Sequence, residues 1–224
     1  MNLLKKHLDS LLVGLVLLFL VVMPLLTIFV KAVVIDDSLD FSYAATALLE
    51  EGNLPMIGNS LLLGLLVVIT STAIAMPLAY LFSRTEFATK KHFDLLFLIP
   101  FMTPPYIASM GWILFMQKRG LFAQLFPAFP NGVPAFFTLG GLVLVMSLHL
   151  FPFMLTLLRN AMANIPSSLE ESAAVMGAPF SVRMRKIFLP LLLGNYAIGA
   201  LLIFVKTLSE YGTPYTLGRR IGFD

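Results

Sequence analysis

Uncharged runs long enough to cross a bilayer alternate with short polar breaks along this chain. A hydrocarbon core of about 30 Å takes around 20 apolar residues in a helix rising 1.5 Å per residue. Ser10 to Val30 carries no charge and predicts a first span. Gly52 to Ser83 predicts a second, with Pro77 near its end, and Leu95 to Gln117 a third, interrupted by Pro100 and by the pair Pro104-Pro105. Gly120 to Leu158 is also free of charge but too long for one crossing. The density of Pro127, Pro130, Asn131, Gly132 and Pro134 makes Phe122–Pro134 an apolar loop, at the surface or re-entrant, and leaves Ala135 to Leu158 as the fourth span. Ile187 to Val205 predicts the fifth, with Pro190 in its first turn, where a missing N–H is tolerated. The expected fold is all-α, a polytopic membrane helical bundle of about five transmembrane helices.

Composition agrees and narrows the partners. Hydrophobic residues make up 58% of the 224 and charged residues 12%, with a mean hydropathy of +0.91. Soluble domains run at about 45–50% apolar and about 25% charged, so a water-soluble globule is excluded, and disorder with it. Absence of Cys removes disulfides, thiolate metal sites and thiol nucleophiles. The net charge of +3 is spread among apolar runs and not gathered in a stripe, so the expected surroundings are a lipid bilayer and not nucleic acid.

Position matters more than sum for the basic residues. Lys5 and Lys6 precede the first run as in a secretory signal, but the run exceeds the usual 7–15 residues and lacks an Ala-x-Ala site, which predicts a retained anchor. With the N-terminus inside, nine basic residues fall on the inner side: Lys5, Lys6, Arg84, Lys90, Lys91, Arg159, Arg183, Arg185 and Lys186. Five fall outside, where Asp36, Asp37, Asp40, Glu50 and Glu51 cluster. The excess predicts a cytoplasmic N-terminus.

The break between spans four and five, Arg159 to Lys186, is 28 residues long, against 2–8 for ordinary connections in bundles. Within it, Ser167 with Glu170 three residues on predicts a capping box, and both Glu170 and Glu171 fall in the first helical turn, where the dipole favours them. Gly177 predicts a left-handed C-terminal cap, Pro179 blocks continuation, and Ser181 can begin the next helix. A short separate helix across the inner end of the bundle follows, with small residues Ser172, Ala173 and Ala174 along it. Taken alone, it could equally be an amphipathic connector resting on headgroups.

The spacing Glu171-Ser172-Ala173, three residues, Gly177, nine residues, Ile187, one residue, Leu189-Pro190 resembles the Glu-Ala-Ala signature of ABC importer permeases. Its one departure is Ser172 for the first Ala, a small-for-small change. The resemblance implies the type I importer transmembrane-domain fold in a bacterial inner membrane, multi-pass. It implies a coupling helix seated in a cleft of a cytoplasmic ABC ATPase dimer, with Glu170, Glu171, Ser172, Ala173 and Gly177 at the contact. Ile187, Leu189 and Pro190 would anchor that helix to span five. ATP and Mg would be held by the ATPase, with no cofactor or metal on this chain, which itself lacks a G-x-x-x-x-G-K-[ST] phosphate loop. Other implied partners are an extracytoplasmic solute-binding protein and a second permease domain, fused or separate. Such a chain is a transport component and not an enzyme.

Asn59-Ser60-Leu61 is similar to the family's start of its first conserved span, Pro77-Leu78-Ala79-Tyr80 to that span's inner end, and Pro104-Pro105 to the next span. Glu210-Tyr211-Gly212-Thr213-Pro214 with Leu217-Gly218 resembles iron(III)-type permeases, where two domains share one chain. That makes iron(III) the expected cargo, with thiamine, polyamines and 2-aminoethylphosphonate as alternatives among close relatives. The expected organisation is a leading helix in 1–34, an extracytoplasmic segment in 35–58, the permease domain in 59–218 and a tail in 219–224. One further family span is expected beyond Pro214, so the chain reads as the N-terminal part of a longer permease. A rival of another class, an ATP-independent channel or a membrane-embedded enzyme, would need an ion-selective ring or a catalytic constellation. The lone His149 and scarce intramembrane acids offer neither.

Candidate pathway residues are Asn59, Ser60, Pro104, Pro105, Tyr106, Ser109, Glu210 and Tyr211. Each has a plainer alternative: Asn59 and Ser60 as caps, the prolines as a kink, Glu210 as the partner of Lys206 four residues earlier. His149 suits an interhelical hydrogen bond better than a metal, and Tyr80 and Trp112 suit interfacial belts.

Overall fold

A computed structural model of the chain describes residues 11–35, 38–50, 52–85, 97 and 99–223. Lys5, Lys6, Ser10, Asp36, Asp37, Glu51, Lys90, Lys91 and Leu95, used above to place spans and charges, lie outside the described residues. Two compact units meet between Ile57 and Gly58.

Among the described residues the first unit starts with α1, Leu11–Val33, apolar but for Lys31 in its last turn and without a buried side chain. Pro24 interrupts it without ending it. A proline ring clashes with the carbonyl four residues back, and here the preceding turn widens over Leu18–Val22, so that the Met23 N–H reaches Leu18 O, five residues away. Strands β1, Val34–Ile35, and β2, Ser38–Leu39, form an antiparallel ladder with Val34 opposite Leu39. The Ser42 N–H donates to Asp40 Oδ1 at 2.7 Å at the start of α2, Ser42–Leu49. The Ser42 hydroxyl, and after it this backbone N–H, hold the Asp40 carboxyl below its ordinary value.

Helix α3, Asn53–Arg84, leads into the second unit. It contains Asn59 and Ser60 inside its length, which corrects the expectation that they cap it. Its buried side, Leu63, Gly64, Val67, Val68, Ser71, Ala75, Ala79 and Phe82, recurs at steps of three and four, one stripe of a 3.6-residue helix. After a helical stretch at 99–102 and a break at Thr103 and Pro104, α4 runs over Pro105–Met116. The predicted third span is therefore a broken helix, and Pro100 sits inside a helical turn without breaking it. The apolar segment before span four is not plain loop: it holds two short helices, α5, Leu121–Leu125, and α6, Gly132–Phe136.

Helix α7, Leu139–Ala163, occupies the centre, buried over most of its circumference. It starts and ends a turn later than Ala135–Leu158 because Thr138 is still extended and polar Arg159 and Asn160 continue the helix beyond the apolar run. Helix α8, Ser167–Val175, lies in the connection, and α9, Phe180–Leu208, is continuous. Span five thus begins seven residues before Ile187, and the connection shrinks to Asn164–Pro179. Pro190 is no first-turn residue of α9 but lies inside it, accommodated as in α1: the turn widens over Met184–Phe188 and the Leu189 N–H reaches Met184 O. Leu192, Gly199, Ile203 and Thr207 form its buried stripe. Gly199 sits so close to α7 that a Cβ there would lie 2.8 Å from Met154 Sδ, the kind of approach small residues allow between membrane helices. A final helix, α10, combines a widened turn, Pro214–Gly218, with Arg219–Ile221. Among the described residues, α1, α3, α7 and α9 are each long and apolar enough to cross a membrane.

Candidate functional site

The connection Asn164–Pro179 projects α8 from the end of the bundle. Its start carries no side-chain cap: Pro166 is the residue before the helix, Ser167 is already helical, and the expected capping box is absent. The physical reason is that Glu170 spends its carboxylate elsewhere. Its Oε1 accepts from the Tyr80 hydroxyl at 3.0 Å and from Arg183 Nη1 at 3.2 Å, and Oε2 lies 3.6 Å from Arg84 Nε. Arg84 Nη2 donates to the Ile165 carbonyl at 2.8 Å. The three charged side chains are 13–21% exposed, so their attraction is screened far less than on an open surface.

Aromatic rings close this cluster from below. The Tyr80 ring meets Phe180 and Phe188 edge-on, with centroids 5.2 and 5.6 Å apart, and the Arg84 guanidinium lies 5.4 Å from the Phe188 centroid. Phe188 is fully buried. Tyr80 therefore serves as a hydrogen-bond donor to Glu170 and not as a belt residue. Sequence reasoning overlooked Tyr80, Arg84, Arg183 and Phe188 as members of this site; the one signal was Phe188, an aromatic at the free position between Ile187 and Leu189.

The far end of α8 closes as its glycine predicts. Gly177 has φ +78°, its N–H donates to Ala174 O and the Ala178 N–H to Ala173 O, both at 2.9 Å, the paired bonds of a Schellman ending. Glu171, Ser172 and Gly177 are exposed and Ala173 is half-buried. Val175 and Met176 beside them are 88% and 87% exposed, two apolar side chains with nothing over them among the described residues. Ile187 is half-buried, while Leu189 and Pro190 are exposed.

At the other end of α7 and α9, the pathway candidates fall into one neighbourhood. Pro104 and Pro105 have no N–H, so the carbonyls of Pro100 and Phe101 lose their helical donors. Ser109, fully buried, donates to Tyr106 O at 2.8 Å and lies 2.6 Å from the Thr216 hydroxyl of α10. Gly212 abuts Tyr106, where a Cβ would come within 2.7 Å of the Tyr106 Cβ. Glu210 does not pair with Lys206; its Oε1 accepts the Thr213 N–H at 3.2 Å, while the Lys206 ammonium lies 5.7 Å from the Phe101 ring centroid. Tyr211 is exposed and stacks on Tyr215. A cavity of about 360 Å³ is lined by Pro105, His149, Lys206, Ser209, Glu210 and Thr213 among others. His149 stacks on Phe101 at 6.1 Å. Of the eight pathway candidates, Pro105 and Glu210 line it; Pro104, Tyr106, Ser109 and Tyr211 lie nearby without lining it, and neither half-buried Asn59 nor exposed Ser60 lines it.

Comparison with known proteins gives a family. The sequence model described as binding-protein-dependent transport system inner membrane component matches residues 71–223. A probable molybdenum ABC transporter permease of Haloferax volcanii is 28% identical over 173 residues, covering 77% of this chain and 62% of the relative. The molybdenum transport system permease of Escherichia coli K12 is 29% identical over 158 residues, covering 70% and 68%. A putative ferric transport system permease of Haemophilus influenzae is 25% identical over 207 residues, covering 91% of this chain and 33% of the relative. The chain thus spans less than two thirds of the Haloferax relative and one third of the Haemophilus one.

Proposed function

Since the chain belongs to the binding-protein-dependent transport system inner membrane components, we propose that it forms part of the translocation pathway of an ABC importer and takes its power from a separate cytoplasmic ATPase through the loop 165–190. The observation that carries this reading is α8 itself. A short helix, tied to the end of the bundle through Glu170, ends in a left-handed glycine and presents Glu171, Val175 and Met176 to whatever lies beyond. An apolar tip flanked by a carboxylate suits a protein cleft better than bulk water. On this reading the side facing that ATPase is the cytoplasm, and the excess of basic residues favours an N-terminus on the same side. A solute-binding protein delivers cargo at the opposite face, near Tyr106 and Tyr211, and a second permease domain completes the pathway.

For the cargo we favour iron(III). Similarity to the Haemophilus ferric permease runs over 91% of this chain, while the two molybdenum permeases match 70–77%. Their higher identity, 28–29% against 25%, favours a small oxyanion such as molybdate as the second reading.

The experiment is reconstitution of the transporter in proteoliposomes with its cognate ATPase and binding protein, assayed with radiolabelled iron(III) and molybdate. Uptake that needs ATP and falls at least tenfold in the double variant Glu171→Lys, Gly177→Val is the expected result. Uptake unaffected by ATP would indicate a channel, and unchanged assembly and uptake in the double variant would overturn the coupling assignment. The labelled species accumulated decides between the two cargoes.

A further inference from the structure

Neighbouring residues on a helix point about 100° apart, and on α8 this separates two glutamates that look alike in sequence. Glu171 is exposed, whereas Glu170 turns back into the bundle and is held by α3 through Tyr80 and Arg84 and by α9 through Arg183. We propose that Glu170 is a positioning residue, a clasp that fixes the direction of α8 against α3 and α9 at once, and does not touch the ATPase. Its role in transport rests on the reading of α8 as the ATPase-contacting helix; its role in positioning stands on the geometry alone.

Three observations carry the inference. Glu170 sits in the first turn of α8, where a carboxylate ordinarily serves the free N–H groups, yet α8 has no side-chain cap. Its oxygens go to side chains 90 and 13 positions away in the chain. Two guanidinium groups face this one carboxylate, and among the described residues the buried Nε atoms of Arg84 and Arg183 have no hydrogen-bond partner, so removing the negative charge leaves two cations confined together. The same Arg84 also holds the Ile165 carbonyl, at the start of the connection, and stacks over Phe188, the last residue of the widened turn of α9. A load applied at Val175 and Met176 therefore reaches α3 and α9 together and not through the backbone of one connection.

The absence of cysteine permits a direct test on the full chain in lipid nanodiscs. Nitroxide labels at Met176→Cys on α8 and Asn160→Cys on α7 report the direction of α8 by pulsed electron resonance. The expected result is a narrow distance distribution that broadens about twofold in Glu170→Gln, as α8 gains local freedom, and stays narrow in Glu171→Gln. Tyr80→Phe, which removes one of the carboxylate's two hydrogen-bond donors and leaves both ion pairs, gives an intermediate width. Circular dichroism establishes that each variant retains its helices, and a Glu170→Gln chain that fails this check is replaced by Arg183→Gln, for which the same broadening is expected. An unchanged width in these variants, or equal broadening in Glu171→Gln, overturns the clasp. Capture of the cognate ATPase separates this from the functional reading. Retention by Glu170→Gln and loss by Glu171→Lys is expected; loss by Glu170→Gln alone makes Glu170 a contact residue and overturns the proposal. Retention by both, with the broadening intact, removes the coupling role and leaves the clasp.

Discussion

At the loop end of the bundle Glu170 shares its carboxylate among Tyr80, Arg84 and Arg183, from two helices other than its own, whereas at the far end Glu210 accepts a single N–H from Thr213, three residues on. Both sit beside a helix start, and both carry an opposite charge in their surroundings. The first links distant parts of the chain and the second shapes only its own turn. What differs is the donor geometry: guanidinium forks and a phenol can reach across helices, while Lys206, a single point charge on a flexible stem, rests over an aromatic face and leaves Glu210 to the backbone.

The contrast is broken or sharpened by substitution, beginning with the greatest expected change. Glu170→Ala strands two guanidinium groups in a mostly buried cluster and costs about 2–4 kcal/mol, read as a lowered thermal midpoint of the detergent-solubilised chain by circular dichroism. Gly177→Val forces a β-branched residue into a left-handed conformation at a cost of about 2 kcal/mol, and limited proteolysis should then cut near Met176 faster than in the parent. Glu210→Ala removes one cap bond and costs about 1 kcal/mol; a cost matching that of Glu170→Ala would erase the distinction between the two ends. Glu171→Gln, fully on the outside of α8, stays within about 0.5 kcal/mol in the same melt, although its neighbour in sequence heads the series.

Much of the loop was legible from residue spacing. Gly177, with a proline two residues later, announced the left-handed ending, and the interval to Ile187 and Leu189-Pro190 marked the connection as special. Glu170 was legible as a carboxylate in a first turn but not as a tertiary link, because nothing in the local pattern around Ser167 points to Tyr80 or Arg84. Helix ends were misplaced wherever the helix outruns the apolar run. Phe180–Lys186 holds three basic residues and so fell outside the expected span, although Ser181 was expected to begin a helix; it continues into α9 because polar side chains on a helix leaving a bilayer cost nothing in water. Pro190 was placed as a helix start for the same reason, since the pattern gives no hint that a widened turn will absorb it. At the far end, the prolines at 104 and 105 correctly marked the break, while the Ser109–Thr216 contact depends on α10, whose approach no spacing encodes.

The widened turn at Met184–Phe188 also sets helical phase. One extra residue in that turn rotates everything before it by about 100° relative to everything after it. Arg183 faces Glu170 and Gly199 faces Met154 on the same continuous helix only because this offset lies between them. Deleting a single residue there would keep α9 helical and apolar yet swing one of these two contacts off its target. The alignment of the loop with the span is thus held by a count of residues, like the tooth of a gear, and is exposed to single-residue insertions and deletions that would pass unnoticed in an ordinary membrane helix.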